Sequence, residues 1–189
     1  MNGTTGGTEQ GDAAVAAGLD ELLAGTVAAL QGADARTEAL ARFEERRAIL
    51  GVRRGPVMRP LGRVWRLGVL LLDTDARLHG VGQVTRAIEP GRVTNQNPRA
   101  EERRDHRRAA YGRFAEGDTV NFDTVDLALD PPTLRAQAEA VQAGDRTPLL
   151  ILRGDTVAVR WNAQPGENAF TPLGPYLAER AALLTAPPP

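Results

Sequence analysis

The chain has 189 residues, 42% of them apolar, enough for one domain with an ordinary core. It contains no cysteine, no serine and no lysine, so all 23 basic residues are arginine. That excludes a disulfide framework, a thiolate metal site, cysteine and serine nucleophiles, a Schiff-base lysine and a phosphate-binding Gly-Lys-Thr loop.

The net charge of −1 hides a segmental pattern. Residues 1–34 carry five acids and no arginine, residues 35–114 carry 18 arginines against nine acids, and residues 115–189 carry five arginines against ten acids. A basic middle between acidic ends reads either as an anion-binding surface or as charge satisfied within the protein.

Residues 1–17 are rich in Gly, Thr and Ala and hold no large apolar side chain, so they are expected to be disordered, as are residues 186–189. No arginine precedes an apolar run at the N-terminus and no run approaches 18 apolar residues, which predicts a cytoplasmic protein without a membrane segment. From Gly18, the residues Leu19, Leu22, Leu23, Val27 and Leu30 follow helical spacing. After Gly32, Asp34 is a candidate cap for a second helix running to about Leu50, stopped by Gly51. The two form an expected helical hairpin over residues 18–50, whose narrow second apolar stripe also suits a dimerisation element.

Residues 51–62 read as a connection. The strongest apolar signal follows, Arg63 to Ile88, and reads as one long β-hairpin with Asp73-Thr74-Asp75-Ala76 as its loop. That loop sets Leu71 opposite Leu78, Val69 opposite Gly80, Leu67 opposite Gly82 and Trp65 opposite Val84 on the core face. The other face then holds Arg66, His79, Gln83 and Thr85. Pro90 to Pro98 is a loop, and Pro98 opens a helix to about Gly112. On this helix Arg99, Arg103 and Arg107 stack at four-residue spacing beside Arg104 and Arg108, which suits a surface helix held by its C-terminal end or an anion site. A strand over Thr119–Leu127, a helix from Pro131 to about Gly144, a second hairpin and a closing helix carrying Leu173, Tyr176 and Leu177 complete the chain. In that second hairpin a Gly154-Asp155 turn sets Leu150 opposite Val159 and Leu152 opposite Val157.

The element order predicts an α+β fold: an antiparallel or mixed sheet of about five strands, two hairpins plus one strand, with helices packed on it and the helical hairpin in front. Residues 18–185 form a single domain in this reading, with the sheet and its helices over residues 60–185.

The chemistry-bearing patterns are sparse. Glu102 and His106 lie one turn apart without a third ligand, so no metal and no cofactor are expected. Asp123 and Asp126 read as strand-edge and turn residues, and Gly80-Val81-Gly82-Gln83-Val84 lacks the third glycine of a dinucleotide loop. The candidate anion- or ligand-binding residues are Arg66 and Gln83 on the polar sheet face and Arg99, Arg103 and Arg107 on the arginine helix; no catalytic residue is assigned. Glu101, Glu102 and Asp105 interleave the arginines, which disfavours nucleic acid.

The strings WRLGVLLL (Trp65 to Leu72), FAEG (Phe114 to Gly117), VRW (Val159 to Trp161) and TPLGPYLAER (Thr171 to Arg180) resemble a group of small actinobacterial proteins, some of which carry the name glutaminase. The similarity spans roughly residues 60–184. It implies an amide hydrolase and brings no catalytic residues with it. Serine-dependent glutaminases use a Ser-x-x-Lys nucleophile and amidotransferase glutaminases a cysteine, and this chain has none of these residues. The residues themselves read as a soluble, non-enzymatic interaction or binding module, with a protein partner or a second copy as its binding partner.

Overall fold

A computed structural model describes residues 5–45, 55–91 and 97–186. The chain is α+β and divides into two compact units: residues 1–36, 67–80 and 126–189 form the first, residues 37–66 and 81–125 the second.

The first unit opens with α1 (Thr5–Gly32), which begins well before Gly18 and so corrects the expectation of disorder over residues 5–17, while residues 1–4 lie outside the described residues. Ala13, Ala14, Ala16 and Ala17 lose no side-chain entropy in a helix, so the turns anchored by the buried Leu19, Leu23, Val27 and Leu30 extend upstream. Asp12 anchors the extension through an ion pair with Arg135 at 2.5 Å. Within α1, the most apolar 18-residue window of the stretch Glu9–Gly32 has a mean hydropathy of 1.5 and reaches the length and composition of a membrane span, although it contains no unbroken apolar run of that length. Its leucine stripe is buried in the first unit, but only 22% of its most apolar window is covered. Gly11, Gly18, Gly25 and Gly32 recur on it every seven residues, and nothing approaches within 4 Å of a side chain placed at any of them. Each interior glycine costs the helix about 0.5–1 kcal/mol relative to alanine.

The helix ends in a left-handed cap. Asp34 has φ +49°, Ala35 N–H donates to the Leu30 carbonyl (2.9 Å) and Asp34 N–H to the Gln31 carbonyl (3.0 Å). Asp34 thus closes α1 instead of opening a second helix.

The expected second helix is instead β1 (Glu38–Glu44); the part of that expectation over residues 46–50, and Gly51, lie outside the described residues. Glu, Ala, Leu and Arg are good helix formers, and here strand pairing overrides them: β1 pairs antiparallel with β2 (Val57–Leu67) and parallel with β6 (Thr119–Phe122). In the second unit β5 (Gln83–Arg86), β6, β1 and β2 lie in that order, a mixed sheet. One face packs Ala39, Ala41, Val120 and Phe122 against Ala109 and Ala110 of α2 (Pro98–Ala110).

The long first hairpin is corrected as well. A turn at Gly68-Val69 divides its first strand, so that β3 (Leu70–Asp73) pairs with β4 (Leu78–Gly80) while β5 pairs with β6. The register is Leu71↔His79 and Leu72↔Leu78, one residue from that expected. The physical reason is loop length. Asp73 and Arg77 close a three-residue loop in which Ala76 takes a left-handed φ of +62°, and Asp73 Oδ1 accepts the N–H groups of Asp75 (2.9 Å) and Arg77 (2.8 Å). An odd loop in place of an even one shifts the partners by one. The expected loop over Pro90–Pro98 falls largely on residues 92–96, outside the described residues.

The expected strand over Thr119–Leu127 is divided at Asp123, which takes a left-handed φ of +51°, into β6 and a two-residue strand at Val125–Asp126, whereas the helix and hairpin that follow form as expected. β7 (Val125–Asp126) lies where the two units meet in sequence, and α3 (Pro131–Gln142) is capped by Asp130, whose carboxylate accepts the Thr133 N–H at 2.9 Å. Hydrogen bonding to the Thr133 side chain and N–H holds the Asp130 carboxyl below the usual carboxylate range. The hairpin of β8 (Leu150–Arg153) and β9 (Thr156–Arg160) has the expected pairs Leu150↔Val159 and Leu152↔Val157 around Gly154 at φ +60°. β10 (Phe170–Pro172) adds a third strand, and α4 (Leu173–Thr185) follows it and packs on α1. Ten strands replace the five expected among the described residues, because the long hairpin breaks up and the helical hairpin contributes a strand.

Candidate functional site

The arginine helix α2 is built to be held at one end. Asn97 caps it by accepting the Arg99 N–H (3.0 Å) and Pro98 occupies its first turn. Its buried residues are His106, Ala109 and Ala110, all in the C-terminal half. His106 is wedged against the rings of Phe122 (4.7 Å between centroids) and Phe43 (5.1 Å). No residue of the N-terminal half is buried, and Arg99, Arg103, Arg107 and Arg108 are exposed. Arg108 pairs with Asp105 at 3.1 Å; among the described residues Arg99, Arg103 and Arg107 make no ion pair. The three sequence-predicted arginines therefore stand together on one exposed stripe of α2.

The other two candidates are placed differently. Register sets Arg66 on the sheet face with Glu38, Val64, Asn121 and Val84, while Gln83 and Thr85 lie on the opposite face with Phe122 and Val120. The shared polar face expected for Arg66, His79, Gln83 and Thr85 does not form, since the hairpin that would have aligned them is broken. Arg66 Nε donates to Glu38 Oε2 at 3.1 Å and its Nη2 to Asn121 Oδ1. Asn121, 0% exposed, donates in turn to Glu38 Oε2 (2.8 Å) and the Ala39 carbonyl (3.2 Å). This closed network is satisfied internally, so the Arg66 guanidinium is committed to Glu38 and Asn121. Gln83 Nε2 makes a long bond, 3.4 Å, to Asp123 Oδ2.

The sequence reading missed a cluster around His79 in the first unit. Its Nδ1 lies 2.7 Å from Asp126 Oδ1 and its Nε2 3.4 Å from Asp73 Oδ2. His79 is buried, whereas the Asp126 side chain is 91% exposed. Each ring nitrogen faces a carboxylate. Among the described residues no group of three His, Asp or Glu side chains could hold a metal ion. The one available signal was the turn residue Asp73 six positions before His79, which acquires meaning only with the true register.

Concavities are present in the first unit among the described residues. A groove of about 670 Å³ between α1 and α4 is lined by small residues, among them Gly18, Gly25, Ala29, Ala178 and Ala182, with Glu21 at its side. A pocket of about 580 Å³ between α3 and β8 holds Arg135 and Glu139 above Val141 and Ile151. Arg135 is engaged by Asp12, and neither concavity gathers a nucleophile and a base.

The strings WRLGVLLL and TPLGPYLAER meet in the first unit at a tight turn. The Tyr176 hydroxyl accepts the Val69 N–H (2.9 Å) and donates to the Leu67 carbonyl (3.2 Å), directly over Gly68 at φ +66°. A methyl group at Gly68 would overlap that hydroxyl oxygen. These two motifs thus build a clamp that fixes the turn between β2 and β3. No protein-family model matches the chain, and no curated protein or solved structure is similar to it.

Proposed function

We propose that the protein is a non-enzymatic interaction module whose arginine helix α2 binds an acidic polypeptide segment. The observation that carries this reading is the exposed set Arg99, Arg103 and Arg107, without an ion pair among the described residues, on a helix whose buried residues all lie in its C-terminal half. Three guanidiniums at four-residue spacing present a row of forked donors suited to carboxylates, and their stems supply apolar contact. Glu101, Glu102 and Asp105 lie on the other side of α2 and lower its net positive charge, which suits a discrete acidic segment better than a continuous phosphate backbone.

The test is a titration of the full chain with a labelled oligoglutamate peptide and, in parallel, a labelled oligonucleotide. Peptide binding that weakens with salt and is lost in Arg103→Ala/Arg107→Ala supports the reading. Submicromolar oligonucleotide binding at physiological salt, lost in the same variant, would replace it with nucleic-acid binding. Ammonia release from glutamine by the purified protein would overturn the non-enzymatic reading.

A further inference from the structure

The two compact units differ in charge far more than the chain's net charge suggests. By sequence the first unit carries 14 acids and seven arginines, the second ten acids and 16 arginines. The sequence pattern of acidic ends and basic middle therefore coincides with the division of the fold. Many of the first unit's acids are engaged locally: Asp12 with Arg135, Asp73 in its turn, Asp75 with Arg77, Asp130 and Asp145 on Thr133 and Thr147, and Asp155 on Thr156. Asp20 and Glu21 are not. Both are exposed on α1 and make no ion pair among the described residues, and α1 carries no basic residue at all.

The ground around these two acids is flat. At about 100° per residue Asp20 and Glu21 straddle a strip of Ala17, Ala24 and Ala28, with Gly18 and Gly25 beside Glu21, and all of these are exposed. Small side chains let the long stems of arginines lie close along the helix while their heads reach the flanking carboxylates. Arg103 and Arg107, neighbours one turn apart, present two such stems from α2.

We infer that this protein associates with itself, the α2 arginine face of one copy docking on the Asp20/Glu21 face of α1 of a second copy. The inference rests on the reading of α2 as an interaction surface and names the partner. The apolar, small-residue surface of α1, of which only 22% is buried in its most apolar window, is covered by this contact. Because the attraction is between exposed charges, it weakens steeply as salt shortens the screening length from roughly 20–30 Å near 0.01–0.02 M to about 3 Å at 1 M.

The experiment is sedimentation equilibrium of the full chain across a hundredfold concentration range at low and at high salt. Concentration-dependent association at low salt, weakened at least tenfold at high salt, is expected. Asp20→Arg/Glu21→Arg and Arg103→Glu/Arg107→Glu, all at exposed positions, should each be monomeric alone, and circular dichroism confirms that they fold. Mixed with each other, the two charge-reversed variants should form a complex. A wild type that stays monomeric throughout, association that survives either reversal, or mixed variants that remain apart overturns the inference. The oligoglutamate titration separates its failure from that of the functional reading. A monomeric wild type that still binds the peptide through Arg103 and Arg107 removes only the self-association, and a wild type that binds no peptide removes the functional reading.

Discussion

Replacing Gly68 and Tyr176 singly and together tests the clamp between β2 and β3 quantitatively. Tyr176→Phe removes one hydroxyl that serves two backbone groups, the Val69 N–H at 2.9 Å and the Leu67 carbonyl at 3.2 Å. Tyr176 and Leu67 are buried, so the orphaned groups gain little from water, and the loss should be about 2 kcal/mol, within the range of roughly 1–3 for unsatisfied buried partners. Gly68→Ala meets two costs. The left-handed φ of +66° disfavours a Cβ by roughly 1–2 kcal/mol, and overlap of the new methyl with the hydroxyl oxygen adds about 1–3 kcal/mol. In the double variant the hydroxyl is gone and the overlap with it, leaving only a tight 3.2 Å approach to Cζ. The double variant should therefore lose less stability than the sum of the single variants, by a coupling of about 1–3 kcal/mol. Urea denaturation of the four proteins, with slopes compared to confirm a common transition, measures this. Additivity within about 0.5 kcal/mol would show that the hydroxyl does not sit over Gly68 and would remove the clamp.

Other substitutions probe the remaining structure. Trp65→Ala should cost about 3–5 kcal/mol, since Trp65 is 2% exposed in β2; an unchanged denaturation midpoint would place it at the surface. Asp130→Asn should keep the α3 cap but alter the acid side of the stability profile. The folded carboxyl is held below the ordinary carboxylate range by the Thr133 side chain and N–H, so the unfolded chain binds a proton more readily, and the stability from this group is complete above the unfolded value and lost as pH falls through the folded one. Wild type and variant should then diverge below about pH 4, and parallel profiles there would count against the cap.

Local chemistry was legible wherever a few adjacent residues decide the structure. Asn97-Pro98 and Asp130-Pro131 mark helix starts, because a side-chain acceptor followed by a residue without an N–H satisfies the first turn by itself. Gly154-Asp155 sets the register of β8 and β9, because a two-residue turn leaves one pairing that puts Leu150, Leu152, Val157 and Val159 on strands with their apolar sides inward. The exposed arginine row on α2 was likewise readable, since four-residue spacing brings Arg99, Arg103 and Arg107 together on any helix. The absence of serine, cysteine and lysine narrowed the chemistry before any fold was known.

Where distant pairing competes with local preference, only the tertiary structure could decide. Glu38–Glu44 is composed of good helix formers and becomes a strand because β2 and β6 offer hydrogen-bonding edges on both sides, a gain no local window contains. The break at Gly68-Val69 depends on Tyr176, more than 100 residues away, whose hydroxyl satisfies the turn's backbone groups. Once that break exists, β5 leaves the hairpin for β6, Arg66 joins Glu38 and Asn121, and His79 falls between Asp73 and Asp126. Spacing along the chain sets which residues share a helix face, but which strands become neighbours is settled by the balance of all long-range contacts together. That balance decides whether a given arginine is neutralised in a closed network, as Arg66 is, or left exposed without an ion pair among the described residues, as Arg103 and Arg107 are.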